Sequence, residues 1–212
     1  MYVPPHFEEQ RIEVLCQLMR EYPLGMLVTL GRDGLNANHI PFEFDSFPAP
    51  LGTLRGHVAR ANPVWRDFSQ EMDALVVFLG PQSYVTPSWY PSKALSGEVV
   101  PTYNYLAVHA YGSPQVRHEE DWLRGLVTRL TERFEAKRAT PWQVTDAPAD
   151  FIGKQLRAIV GIEIQLTRLI GKWKVSQNRP AMDRAGVIEG LTTNADAASV
   201  ALAGWVKDKA PS

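Results

Sequence analysis

The stretch Leu54-Arg55-Gly56-His57-Val58-Ala59-Arg60-Ala61-Asn62-Pro63 gathers residue types that bind an anion. It reads as a strand running into a short helix over 61–71. Such a junction presents backbone N–H groups that the helix itself does not use. Arg55 and His57 fall on one face of the strand, Arg60 and Asn62 follow at the turn, and arginine offers phosphate a fork of donors. The plainer alternative is a polar barrel rim in which Asn62-Pro63 makes a turn. Two further stretches interleave rings with hydroxyls: Tyr84-Val85-Thr86-Pro87-Ser88-Trp89-Tyr90-Pro91-Ser92-Lys93, and Val100-Pro101-Thr102-Tyr103-Asn104-Tyr105 leading to Val108-His109. A flat aromatic ligand wants apolar walls and a few placed polar groups, which this mix supplies. Aromatic packing at a barrel mouth or a dimer seam would use the same residues. In Gly171–Arg179, an extended backbone would place Lys172, Lys174 and Ser176 on one face and Trp173 and Val175 on the other. That polar face suits an anion or a polar ring edge, and equally a solvated basic strand edge.

Other chemistry has no footing in the chain. There is no GxGxxG, Walker A, HExxH or GxSxG motif. His6, His39, His57, His109 and His118 are not at metal-ligand spacing from one another or from a cysteine, so no metal site is expected. Cys16 is the single cysteine, which excludes an intrachain disulfide and fits a reducing compartment; a cytoplasmic location is expected. It lies on the apolar stripe of a helix, as a buried small hydrophobe would. The net charge of −1 argues against a general nucleic-acid or membrane-surface binder. No apolar run reaches the roughly 18 residues of a membrane span, and Met1–Gln10 has no secretory-signal pattern.

The elements that must position these residues follow from periodicity. A helix is expected over 8–22, ended by Pro23, and strands over 24–30, 35–44, 51–58, 74–79, 102–111 and 159–166. Residues 81–100 read as an ordered loop around a short strand near Tyr84, and ligand binding would be one reason for its order. Trp122, Leu126, Leu130 and Phe134 share a face of a helix over 119–138, with acidic residues at its start and basic ones at its end. The strands lack the βαβ rhythm of a parallel sheet. The expected fold is therefore mainly β with edge helices, a small antiparallel barrel with Greek-key connections.

In series, Met1-Tyr2-Val3-Pro4-Pro5-His6-Phe7, His39-Ile40-Pro41-Phe42, Gly56–Pro63, Pro87-Ser88-Trp89-Tyr90, Pro101-Thr102-Tyr103-Asn104-Tyr105, Val108-His109 and Lys174-Val175-Ser176-Gln177-Asn178-Arg179 resemble the PaiB-like family of FMN-binding negative transcriptional regulators. The resemblance runs from residue 1 to about 191 and leaves 192–212 as a helical tail. It implies a split β-barrel like that of pyridoxamine-phosphate oxidases, and a homodimer with two FMN sites at its interface. By the same resemblance, His57, Ala59, Arg60 and Asn62 lie near the ribityl phosphate. Ser88, Trp89 and Lys93 lie in the loop near the flavin, and Thr102, Tyr103 and Asn104 on a strand of the site. Lys174, Ser176, Gln177 and Arg179 form a C-terminal motif that a partner subunit could supply. Tyr103 departs from the tryptophan usual at its position, which changes ring size and hydrogen bonding there.

Three functions remain open on the sequence. The first is an FMN-binding regulator, although no DNA-reading element is visible and regulation could be indirect. The second is an FMN-dependent oxidoreductase acting on a small molecule, with His109 and Tyr103 as the available acid–base groups; fold alone would not establish it. The third is a barrel holding another flat cofactor such as haem, with His39, His57 or His109 as axial ligands.

Overall fold

The computed structural model describes residues 1–69, 71–194 and 196–208. A two-residue strand β1 (Glu8–Glu9) precedes helix α1 (Ile12–Glu21). Strands β2 (Leu24–Gly31), β3 (Gly34–Pro41), β4 (Glu43–Asp45) and β5 (Thr53–Ala59) follow, then the long β6 (Ala74–Val85). A four-residue helix α2 (Lys93–Ser96) leads to β7 (Thr102–Arg117), helices α3 (Glu120–Glu135) and α4 (Ala149–Arg157), and β8 (Ile159–Lys174). Helices α5 (Ala181–Thr193) and α6 (Ala197–Asp208) close the described chain.

The strands form one mostly antiparallel sheet in the order β3-β2-β6-β7-β8-β5-β4, with β1 added on β8. β5 precedes β6 in the chain yet pairs with β8, from Thr53 opposite Gln165 to Ala59 opposite Ile159, which is the crossover expected of a Greek key. β3 and β4 end that order and no ladder joins them among the described residues, so the sheet does not close. It is the split barrel anticipated from the motif series. In the β2–β3 hairpin, Leu24 faces Pro41 and Gly31 faces Gly34. Gly34 turns at φ 105°, a conformation that side chains resist.

By density of contacts the chain divides into two interleaved units. Met1–Leu18, Leu79–His109 and the chain from Ile170 form the first, and Met19–Phe78 with Ala110–Leu169 form the second. β6, β7 and β8 contribute residues to both. In the second unit, Phe42 and Phe78 meet edge to face at 6.0 Å inside the barrel wall, with Leu27, Leu54, Val76 and Ile162 fully buried. Each such side chain contributes about 1.5–3 kcal/mol on burial. Leu123 of α3 packs with Ile152 and Leu156 of α4 in a separate cluster. In the first unit Trp173 and Trp205 meet edge to face at 5.9 Å, and Leu106, Val175, Val187 and Leu191 are buried.

Several elements differ from their sequence expectation. The helix expected over 61–71 is only a 3-10 turn, Pro63–Arg66. β6, β7 and β8 run well past the expected ends at 79, 111 and 166. α4 was not anticipated, although Ile152 and Leu156 stand one turn apart on its buried face. On α3 the buried side chains are Leu123, Leu126 and Leu130, while Phe134 is exposed. The expected boundary at residue 191 falls inside α5, and residues 209–212 of the expected tail lie outside the described residues. Among the described residues no helix is long and apolar enough to cross a membrane.

Candidate functional site

The residues singled out in sequence fall in both units. In the second, His57 lies on the half-buried face of β5 that it shares with Arg55. The Arg55 guanidinium bonds Glu163 and Asp45, both at 2.7 Å, and Arg117 bonds Glu163 from its other side. Burial tends to raise the Glu163 carboxyl, but hydrogen bonds from Arg55 and Arg117 hold it below its ordinary value. His57 Nδ1 is buried with no hydrogen-bond partner among the described residues, and desolvation lowers the imidazole below its ordinary pKa. Ala59 is exposed at the strand end.

The junction that should present free N–H groups is already satisfied. Arg60 N donates to Ala158 O at 2.8 Å, Asn62 N to Ala59 O at 2.9 Å, and Val64 N to the Asn62 side chain at 3.0 Å. The Asn62 amide also donates to Asn38 Oδ1 at 2.7 Å. The Arg60 fork is engaged too: Nε donates to Arg157 O at 2.6 Å and Nη2 to Ile159 O at 2.8 Å. Arg60 thus caps the C-terminus of α4, where carbonyls lack partners within the helix. The anion-binding backbone expected here corrects to a turn stitched to the α4–β8 connection, because Asn62-Pro63 starts only a 3-10 turn.

The first unit holds the remaining residues, and there the geometry converges. β7 begins at Thr102, and its Oγ1 accepts a bond from Lys174 Nζ at 2.6 Å. Asn104, with no exposed surface, donates from its amide to Ser176 Oγ at 2.8 Å, while its Oδ1 is buried without a partner among the described residues. Tyr103 points the other way and is 47% exposed. β8 ends at Lys174 and the chain turns, with Ser176 at φ 61°. That turn breaks the alternation expected of an extended segment, so Ser176 is buried and does not share a face with Lys172 and Lys174. Gln177 folds back onto the turn, accepting from Val175 N at 2.8 Å and donating to Trp173 O. The Arg179 guanidinium lies 5.0 Å from the centre of the Tyr90 ring. Burial raises the Tyr90 phenol above its ordinary pKa.

The 88–93 loop belongs to the same unit. Thr86 caps the 3-10 turn Pro87–Trp89, accepting from Ser88 N at 3.3 Å. Ser88 and Lys93 are exposed, and Trp89 is half-buried against α5. A groove of about 540 Å³ lies alongside, lined by Ser88, Trp89, Tyr90, Glu189, Gly190 and Asn194 among others. His109, on β7, has its pKa lowered, chiefly by burial. Sequence patterning named Tyr90 within its aromatic stretch but missed Asp183 as a member of this region; Asp183 is a buried acid in the first turn of α5 and accepts two bonds from Ser92.

In the second unit, Arg55, Arg117 and Arg129 are ion-paired and Arg60 holds carbonyls. In the first, Lys174 and Arg179 are half-buried and make no ion pair among the described residues. Lys174 keeps two of its three donors after bonding Thr102. The exposed Ser88 hydroxyl, two cations and the exposed Tyr103 ring make a set fit for an anionic ligand with a flat polar ring system.

Along 99% of its length, and over 98% of the relative, the chain is 33% identical to the Bacillus subtilis "Protease synthase and sporulation protein PAI 2". It is also 33% identical to a protein of Aspergillus fumigatus, with 99% of this chain and 97% of the relative covered. The fold resembles the FAD and heme binding protein from Mycobacterium smegmatis, with a TM-score of 0.57 at 17% identity, over 79% of this chain and 73% of that one. Residues 1–168 match the family model described as "Putative FMN-binding domain", and the chain belongs to that family.

Proposed function

We propose that this protein binds FMN as a homodimer and serves as a flavin-dependent regulator. The observation that carries the FMN reading is the pair of half-buried cations, Lys174 and Arg179, beside the strained turn at Ser176 in a chain of an FMN-binding family. When bound, FMN supplies hydride or single-electron chemistry. Lys174, held by Thr102, would direct its remaining donors at the phosphate or at a ring carbonyl. Asn104, which has no exposed surface, would serve by holding the Ser176 turn, and the Tyr103 ring would lie along the isoalloxazine. Ser88, Trp89, Lys93, Gln177 and Arg179 would complete this part of the site. For His57, Ala59, Arg60 and Asn62, contact with the ligand rests on the family resemblance, and Arg60 serves first as the cap of α4.

Exposed Leu79, Tyr84 and Tyr103 lie in the first unit and support a seam with a second copy. The regulatory part of the proposal is supported by the printed name of the Bacillus subtilis relative, which refers to protease synthase and sporulation. Regulation would be indirect. The cations of α6 amount to Lys207 beside Asp208, too few to neutralise phosphates.

Lys174→Ala tests the site: it should weaken FMN at least about tenfold while riboflavin falls much less if Lys174 meets the phosphate. Equal binding of FMN by parent and variant would remove Lys174 from the site. Light scattering should give twice the 23.7 kDa chain mass, and a 23.7 kDa species would contradict the dimer. Turnover of NAD(P)H with bound flavin would favour an oxidoreductase over a regulator.

A further inference from the structure

The two first-unit segments proposed to hold FMN, 88–93 and 174–179, lie about eighty residues apart in sequence, and helix α5 ties them together. Asp183 stands in the first turn of α5 and is 1% exposed. Its Oδ1 accepts from Ser92 N at 3.0 Å and its Oδ2 from Ser92 Oγ at 2.7 Å. A carboxyl group withdrawn from water is unfavourable unless hydrogen-bonded. Here one residue of the loop supplies both donors, and the N-terminal end of a thirteen-residue helix adds its favourable field.

Other contacts join the same two segments to α5 or to each other. Arg184 Nη1 donates to Arg179 O at 3.1 Å, Arg179 N donates to Ser176 O at 2.9 Å, and the Arg179 guanidinium lies over Tyr90. Further along the helix, Gly186 and Gly190 leave room for Trp89. A Cβ at Gly190 would come within 2.2 Å of the indole, and one at Gly186 within 2.0 Å of the Trp89 carbonyl. The helix therefore meets the loop at Asp183–Ser92 and Gly190–Trp89, and the turn that precedes it meets the loop at Arg179–Tyr90.

We infer that Asp183 is a positioning residue: through its paired bonds to Ser92 it fixes the 88–93 loop against the 174–179 turn, so that the two segments act as one binding surface. This rests on the FMN reading above. It assigns α5, which lies beyond the residues matched by the family model, a direct part in shaping the site.

Hydrogen exchange of the ligand-free protein, read by mass spectrometry, tests the bridge without relying on flavin. Asp183→Ala should speed exchange about tenfold in peptides covering 87–96 and 174–180, leave the β2–β3 hairpin unchanged, and weaken FMN by a similar factor. Asp183→Asn, which keeps one acceptor for Ser92, should recover most of both losses and restore the parent's bound-flavin absorption bands. Should Asp183→Ala fail to fold, Ser92→Ala removes only the hydroxyl bond and should speed exchange in the same two regions to a smaller degree. Unchanged exchange in those peptides in a folded variant would overturn the inference. Faster exchange in a protein whose parent takes up no FMN would uphold the bridge and sink the FMN reading alone.

Discussion

Asn104 and Ser176 meet in a 2.8 Å hydrogen bond sealed from solvent, and the residue that accepts it holds φ at 61°. A serine resists that conformation, at about 1–2 kcal/mol relative to a relaxed backbone. It persists here because Asn104 Nδ2, buried on β7, would otherwise have no acceptor. Ser176→Ala should destabilise the fold by about 1–3 kcal/mol, since it leaves the amide unpaired and keeps the strain. Ser176→Gly loses the same bond but relieves the strain, and should be the less damaging of the two. Urea melts of both variants check the order; Gly as destabilising as Ala would remove strain from the account.

Arg60 offers a separate test of role. Its bonds to Arg157 O and Ile159 O tie β5 to the end of α4. Arg60→Ala should lower stability by about 1–3 kcal/mol and reduce FMN and riboflavin binding to the same extent. A selective loss of FMN at unchanged stability would show that the guanidinium reaches the phosphate instead.

Acid should destabilise the fold in two steps. His57 is held below its ordinary value of 6.5 by burial, so the unfolded chain binds its proton first. Its contribution is complete above pH 6.5 and is lost as pH falls from there toward the lowered folded value. Glu163 and Asp45, lowered by their arginine partners, contribute above their ordinary values of 4.5 and 3.8 and are lost below these. Denaturation midpoints measured from pH 8 to pH 3 should fall in both windows, and His57→Phe should lessen the fall in the upper one, leaving the share of His109, which burial also lowers. An unchanged slope between pH 6.5 and 5 in that variant would mean that another group governs it.

Gly161 pairs with His57 across the β5–β8 ladder, and a Cβ there would come within 2.3 Å of the Trp122 ring. Gly161→Ala should force α3 off the sheet by a few tenths of an ångström or more and lower stability by about 1–3 kcal/mol. A melting temperature equal to the parent's would show that Trp122 can repack freely.

The sequence made most of the sheet legible because Leu24–Leu30 is an apolar run bounded by a turn and Leu35–Phe44 and Ile159–Leu166 alternate. It hid the length of the three central strands. Gly80-Pro81 and Gly112-Ser113-Pro114 read as breaks, yet β6 and β7 pass through both. Gly80 and Pro81 are buried in succession, a shift of phase that lets the strand continue. Of the candidate site, Lys174 with Thr102 and Asn104 with Ser176 were each named from motifs, but their pairing was not, because it depends on a left-handed turn at a serine. The capping role of Arg60 was equally out of reach. Its partners are carbonyls of an unanticipated helix nearly a hundred residues away, and carbonyls carry no residue-type signal.

Titration with FMN, followed by visible absorbance and by quenching of flavin fluorescence, tests the central claim most directly. Saturable quenching at one FMN per chain and shifted flavin bands are expected, with the titration displaced at least about tenfold to higher flavin in Lys174→Ala. A protein that leaves FMN fluorescence and absorbance unchanged up to millimolar flavin would contradict it.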